Sequence, residues 1–167
     1  MDRECVVGVI VKESVDMPIE YKPYWLSVSE CAVLAGECKR ELDGVVKKAN
    51  GRTRVKRWGW DYLDLERWLG EIPEKFRLIP FDSLTLNEYE EGRFIGPHID
   101  SMGYGDRIFV VSLGGPATIV FHSEPVERLQ LGNGSLLSFW GKERTSIKHS
   151  TEPSPGLRYS LVFRNKR

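Results

Sequence analysis

Arg107-Ile108-Phe109-Val110-Val111-Ser112-Leu113-Gly114-Gly115-Pro116-Ala117-Thr118-Ile119-Val120-Phe121-His122 decides the fold class of this chain. Two short runs rich in β-branched and aromatic residues are separated by Gly114-Gly115-Pro116, where glycine frees the backbone and proline withdraws an amide donor. The pattern predicts two strands joined by a turn, with His122 at a strand end. The same punctuation continues outward. Ser83 to Tyr89, Ser135 to Trp140 and Leu157 to Arg164 are further strand-like runs, Pro153-Ser154-Pro155-Gly156 is a break, and Asn133-Gly134 is a strong tight-turn signal. Residues 76–167 therefore predict a compact antiparallel sandwich or jelly roll, so the class is mostly β.

Upstream of Pro73 to Pro80 the periodicity changes from two to that of a helix. Ser27-Val28-Ser29-Glu30 has the capping-box form, and Val28, Cys31, Ala32, Leu34, Ala35, Cys38 and Leu42 recur at helical spacing, which predicts a helix over 28–42. Trp58 to Tyr62, then Leu63, Leu65, Trp68 and Leu69, predict a short strand and a short helix. Residues 1–75 thus read as an N-terminal helical and lid region placed before the β core, the whole being one domain.

Lysine plus arginine equals aspartate plus glutamate at 24 each, so any basic site must be local. One such patch stands out: six of the eleven residues from Lys47 to Arg57 are basic and none is acidic. The three cysteines, Cys5, Cys31 and Cys38, show no C-x-x-C spacing, which argues against a disulfide scaffold and a structural zinc site; Cys31 and Cys38 read as buried core thiols. No apolar run approaches a bilayer span and no signal-peptide pattern opens the chain. A soluble intracellular monomer, cytoplasmic or nuclear, is the expectation.

Chemistry enters with the histidines, of which there are three. His98-Ile99-Asp100 puts one imidazole and one carboxylate on the same side of an extended segment while Ile99 turns away, and His149 supplies a second imidazole from far along the chain. Two imidazoles and a carboxylate on one face leave open positions, which suits non-haem Fe(II) better than a closed zinc tetrahedron. An isolated H-x-D also fits an ordinary surface or core histidine. In the final run, Arg158, Ser160, Val162 and Arg164 share one face. Two arginines there fit either an exposed strand paired with acidic residues or a site for a dicarboxylate. Thr85, Asn87 and Tyr89 share a face by the same alternation and offer hydrogen bonds to such a ligand.

Asn87-Glu88-Tyr89, Gly92, Pro97-His98-Ile99-Asp100, Val111 to Gly114, Gly134 to Gly141, His149 and Arg158 to Arg164 together resemble the AlkB family of dioxygenases over roughly residues 52–164. The resemblance implies a double-stranded β-helix, Fe(II) on His98, Asp100 and His149, molecular oxygen as co-substrate, and 2-oxoglutarate among Asn87, Tyr89, Arg158, Ser160 and Arg164. Ser160 stands where members often have asparagine. Arg54 to Tyr62 is similar to the family's nucleotide-recognition lid, so Arg54, Arg57, Trp58, Trp60 and Tyr62, with Met102 and Trp140 nearer the iron, are the expected substrate contacts. The cations would meet phosphates and the rings would stack on bases; the same residues also fit a solvated loop whose tryptophans pack on the sheet. Oxidative demethylation or hydroxylation of modified bases in single-stranded or flipped-base DNA or RNA, as in repair, is what the resemblance implies. Ser101 and Met102 follow Asp100 where repair members often carry a base-contacting acid. A protein-directed dioxygenase of the same family and a jelly-roll binding module without iron are the alternatives.

Overall fold

A computed structural model describes residues 18–63 and 66–167; Cys5 and Leu65 lie outside the described residues. Seven strands form one antiparallel sheet in the order β1 (Ile19–Lys22), β8 (Leu136–Phe139), β5 (Ile108–Gly114), β10 (Arg158–Arg164), β4 (Ser83–Tyr89), β2 (Arg54–Asp61) and β3 (Arg67–Trp68). Facing it, β7 (Glu127–Leu131), β6 (Ala117–Phe121) and β9 (His149–Thr151) form a second sheet. This is the jelly-roll arrangement expected from residues 83–164. The quoted stretch supplies β5 of one sheet and β6 of the other, with Gly114 at positive φ in the break between them. His122 does stand at the end of β6, where its Nε2 lies 2.7 Å from the Ser150 Oγ.

Helix α1 (Val28–Leu42) has the predicted bounds and the predicted capping box: Ser27 Oγ accepts from the Glu30 amide and Glu30 accepts from the Ser27 amide. Its buried stripe is narrower than expected. Cys31, Leu34, Cys38 and Leu42 are buried, whereas Val28 and Ala32 are exposed. Among the described residues the N-terminal helical elements before β4 are α1 and a 3-10 helix at Glu74–Phe76. The helix expected after Tyr62 is replaced by β3, whose Trp68 pairs with Trp60 of β2. Strands β1, β7 and β9 were not expected. β7 is Glu-Arg-Leu-Gln-Leu, too polar to resemble a strand until half of it faces solvent, and β9 is three residues long.

Strand β10 lies between β5 and β4 at the centre of the large sheet and is buried on both faces. Tyr159, Leu161 and Phe163 pack with α1, Leu84 and Leu86 in one core cluster. The opposite face carries Arg158, Ser160, Val162 and Arg164 toward the second sheet, where Val162 joins Ile119, Phe121, Leu137 and Phe139 in another cluster. An apolar core therefore supports the strand from behind while its front is polar. Each fully buried leucine or phenylalanine of that backing contributes about 1.5–3 kcal/mol.

Burial pushes the Cys38 thiol up to about 12 and raises Cys31 as well. Native protein treated with iodoacetamide at pH 8 should therefore leave both unmodified, and denatured protein should lose both to alkylation. Peptide mass mapping checks this; rapid native alkylation of Cys38 would contradict the packing of α1.

Candidate functional site

His98 and Asp100 lie in the irregular segment between β4 and β5, and His149 opens β9. The two histidines are locked by their backbones: the His98 amide donates to the His149 carbonyl (3.0 Å) and the His149 amide to the His98 carbonyl (2.9 Å). His98 Nδ1 lies 2.8 Å from the Gly96 carbonyl, which can only accept, so Nδ1 donates there and Nε2 is the ring atom turned toward Asp100. Both Nε2 atoms converge on one carboxylate oxygen, Asp100 Oδ1, at 3.3 Å from His98 and 3.4 Å from His149. The three ligand atoms lie within 4.8 Å of one another. Two imidazoles and one carboxylate from one side fit a divalent metal with open coordination positions.

Asp100 is buried, and burial alone would raise its carboxyl. The Arg164 guanidinium, with hydrogen bonds from His149 and His98, overrides that and holds it well below the usual range. Arg164 Nε donates to Asp100 Oδ2 at 2.6 Å and its NH1 to Thr85 Oγ1 at 3.1 Å. The residue expected at a 2-oxoglutarate carboxylate is thus engaged by the metal-site aspartate.

Arg158 is 2% exposed. It donates to Ser112 Oγ at 2.8 Å, hydrogen-bonds the Tyr89 side chain and lies 5.1 Å from its ring, while its Nε has no partner and, among the described residues, no carboxylate pairs with it. Burial lowers the pKa of its guanidinium. A buried cation without an anion is costly unless a ligand supplies one. Asn87 is held at both ends of its amide: Nδ2 donates to Ser160 Oγ (3.0 Å) and Oδ1 accepts from Arg52 (2.8 Å). Ser160 therefore positions Asn87 across the β4–β10 register.

All eight of these residues read as metal or cosubstrate contacts, His98, Asp100, His149, Asn87, Tyr89, Arg158, Ser160 and Arg164, border one cavity of about 190 Å³. Ile99, expected to turn away, borders it too. The substrate set divides. Val55 and Arg57 oppose Asn87 and Thr85 and share their face, so Arg57 borders the cavity. Arg54 and Trp58 oppose Glu88 and Leu84 and point to the other face: Arg54 lies 3.7 Å from Glu88, and Trp58 is buried against Phe76. Period two allows no other outcome once Arg57 faces in.

At Gly59, where φ is 76°, a Cβ would collide with the Asp82 carbonyl. The strand continues past this glycine with Trp60 between Trp68 and Tyr62, ring centroids 5.5 and 6.4 Å away, and with the buried Tyr62 donating to Asp82 at 3.1 Å. Neither ring borders the cavity. Met102 is exposed beside Arg167, and Trp140 packs under Arg107 at 4.4 Å; Phe139, one residue earlier and therefore on the opposite face, borders the cavity in its place. Missed by the sequence was Arg52, which borders the cavity beside Arg57. The density of the basic run flagged its neighbourhood, but it precedes β2, where alternation cannot assign a face.

No protein-family model matches the chain. A curated relative, the alkylated DNA repair protein ALKBH8 homolog of Arabidopsis thaliana, is 28% identical over 145 residues, covering 71% of this chain and 40% of the relative. The chain thus spans well under half the length of that protein. Among solved structures, OsALKBH1 superposes with a TM-score of 0.73 at 15% identity, over 92% of this chain and all of that one. NgTET1 in complex with 5mC DNA follows at 0.70 and 12% identity (91% and 73% covered), and a Pseudomonas putida prolyl-4-hydroxylase at 0.61 and 17% (90% and 94%). These solved structures share the jelly-roll fold of this chain.

Proposed function

We propose that this chain, an AlkB-like member of the Fe(II)- and 2-oxoglutarate-dependent oxygenases, oxidises modified bases in single-stranded or flipped-out nucleic acid, removing methyl groups or leaving a hydroxyl. The observation that carries the oxygenase assignment is one cavity walled by the His98, Asp100, His149 cluster on one side and the buried Arg158, which pairs with no carboxylate among the described residues, on another. Fe(II) held there with 2-oxoglutarate and oxygen would supply the oxidising power to hydroxylate an unactivated carbon. Arg158 would bind a cosubstrate carboxylate, Asn87 and Tyr89 would shape its seat, and Arg164 would orient the Asp100 carboxylate. Phe139, Ile119 and Val162 exclude water from the inner wall.

Support for a polyanionic substrate comes from Lys48, Arg52 and Arg57. After burial, Arg52 and Arg57 lie close enough to depress the Lys48 pKa, and among the described residues the one carboxylate that favours this group is Asp100, acting on Arg52. A phosphate backbone is the matching ligand. Further along β2, Trp60, half-buried, and the exposed Trp68 paired with it offer stacking faces. A protein-directed oxygenase is the second reading, favoured by Trp58 and Tyr62, whose rings are buried and presented to no ligand. The two free buried cysteines accord with a cytoplasmic or nuclear location. Among the described residues no helix is long and apolar enough to cross a membrane.

Formaldehyde release from methylated single-stranded DNA and RNA oligonucleotides, with Fe(II) and 2-oxoglutarate, tests the substrate. The expected result is release that falls steeply with added salt and is at least tenfold lower in an Arg52→Gln/Arg57→Gln variant. Oligonucleotide binding that ignores salt, with turnover only on peptides, would favour the protein-directed reading instead.

A further inference from the structure

Arg144 lies on α2 (Lys142–Thr145), a single turn between β8 and β9, and is fully buried. Among the described residues no carboxylate hydrogen-bonds its guanidinium, though Asp100 and Asp106 lie near enough to favour its charge. Instead it donates to four backbone carbonyls of one short segment: Nε to Gly105 (3.0 Å), NH1 to Asp100 (3.0 Å), and NH2 to Ser101 (2.7 Å) and Tyr104 (3.0 Å). Burying a cation on backbone carbonyls without a direct ion pair is expensive, and apolar residues fill such space at lower cost. What the arrangement achieves is geometric. A planar fork of five donors fixes the backbone of 100–105 in one conformation, which lysine, a point charge on a flexible stem, does not do.

Two things hang on that segment. Its first residue is Asp100, whose carboxylate is gathered with His98 and His149. Its later residues hold the Trp60 to Leu63 stretch: Ser101 Oγ donates to the Tyr62 carbonyl at 2.9 Å, Tyr104 donates to Asp61 at 3.2 Å, and Gly103 packs so closely on Tyr62 that a Cβ would clash. We propose that Arg144 is a positioning residue that presets the 100–105 segment, and through it the Asp100 carboxylate, so that the metal cluster exists before the metal arrives. The inference rests on reading His98, Asp100 and His149 as a metal site.

Titration of the purified protein with Co(II), followed by calorimetry and visible absorption, separates the possibilities. The parent is expected to bind one Co(II), and Arg144→Lys to bind it roughly 10- to 100-fold more weakly with an altered spectrum, the scale of losing a group that orients a ligand. Leu42→Ala, which weakens the core from the α1 side, should lower the melting temperature yet leave Co(II) affinity unchanged. Equal affinity in the parent and Arg144→Lys overturns the proposal while sparing the metal site. No binding by the parent overturns both. Hydrogen exchange on the parent alone gives a check that needs no variant. The Tyr104 and Gly105 amides, which donate to Ser101 and Asn165, should be protected before Co(II) is added and unchanged after; protection that appears only with Co(II) would mean that the metal orders the segment, and would overturn the proposal.

Discussion

Arg158→Met is expected to yield a protein at least as heat-stable as the parent that no longer binds 2-oxoglutarate. Arg158 is buried with the Ser112 and Tyr89 hydroxyls, one aromatic face, an orphaned Nε and, among the described residues, no carboxylate partner. Removing an uncompensated buried cation for a flexible apolar side chain of similar length relieves desolvation, and replacing buried ionic groups by apolar ones is commonly neutral or stabilising by about 1–4 kcal/mol. The Ser112 hydroxyl loses a donor, which offsets part of this. Binding moves the other way. A buried arginine–carboxylate contact is worth about 2–5 kcal/mol when one partner is truncated, or about 30-fold and upward in affinity. Thermal melting of the metal-free protein, with calorimetric titration of 2-oxoglutarate in the presence of Mn(II), measures both. A melting temperature several degrees below the parent with undiminished cosubstrate binding would assign Arg158 a structural role only.

Asp100→Ala should show the opposite stability sign and a complete loss of turnover. Here the removed group is the anion of a close pair, so Arg164 is left in a mostly buried place with Thr85 Oγ1 and the Tyr104 ring, 4.9 Å away, but no anion among the described residues. Breaking such a pair costs about 3–5 kcal/mol, the lower end being expected because Arg164 keeps that hydroxyl. Adding Arg164→Met to Asp100→Ala should restore part of the lost stability without restoring metal binding. The pH dependence has a defined sign. Because Arg164 and the two histidines hold the Asp100 carboxyl well below its ordinary value, the pair contributes fully above the ordinary carboxylate range and its contribution is lost as pH falls through the depressed folded value. The parent and Asp100→Ala should therefore converge in stability in strong acid. A variant that melts like the parent at pH 7 and still binds Mn(II) would refute the site.

Much of this centre was legible because its geometry is periodic. Strand β10 runs without interruption from Arg158 to Arg164, so alternation alone placed both arginines and Ser160 on one face, and β4 did the same for Thr85, Asn87 and Tyr89. Strand β2 was legible in part. Its alternation separates Arg57 from Arg54 and Trp58, but a basic run carries no mark of which parity faces the cavity, and the positive φ at Gly59 resets the pattern for Trp60 and Tyr62. The segment from His98 to Gly105 has no period at all. Its shape is set by Arg144, forty-odd residues later, and by the backbone bridge to His149, long-range contacts that leave no local trace in the sequence. Strand β7 was hidden for a different reason: an outer strand with polar residues at alternate positions looks like a loop until its sheet partner is known.

Succinate formation from 2-oxoglutarate by the purified protein, with Fe(II) and oxygen and no added substrate, tests the central claim most directly. Slow uncoupled turnover is expected, abolished by chelator, by removal of oxygen and by Asp100→Ala. Succinate production that persists in Asp100→Ala, or none from a parent protein shown to be folded and iron-loaded, would contradict it.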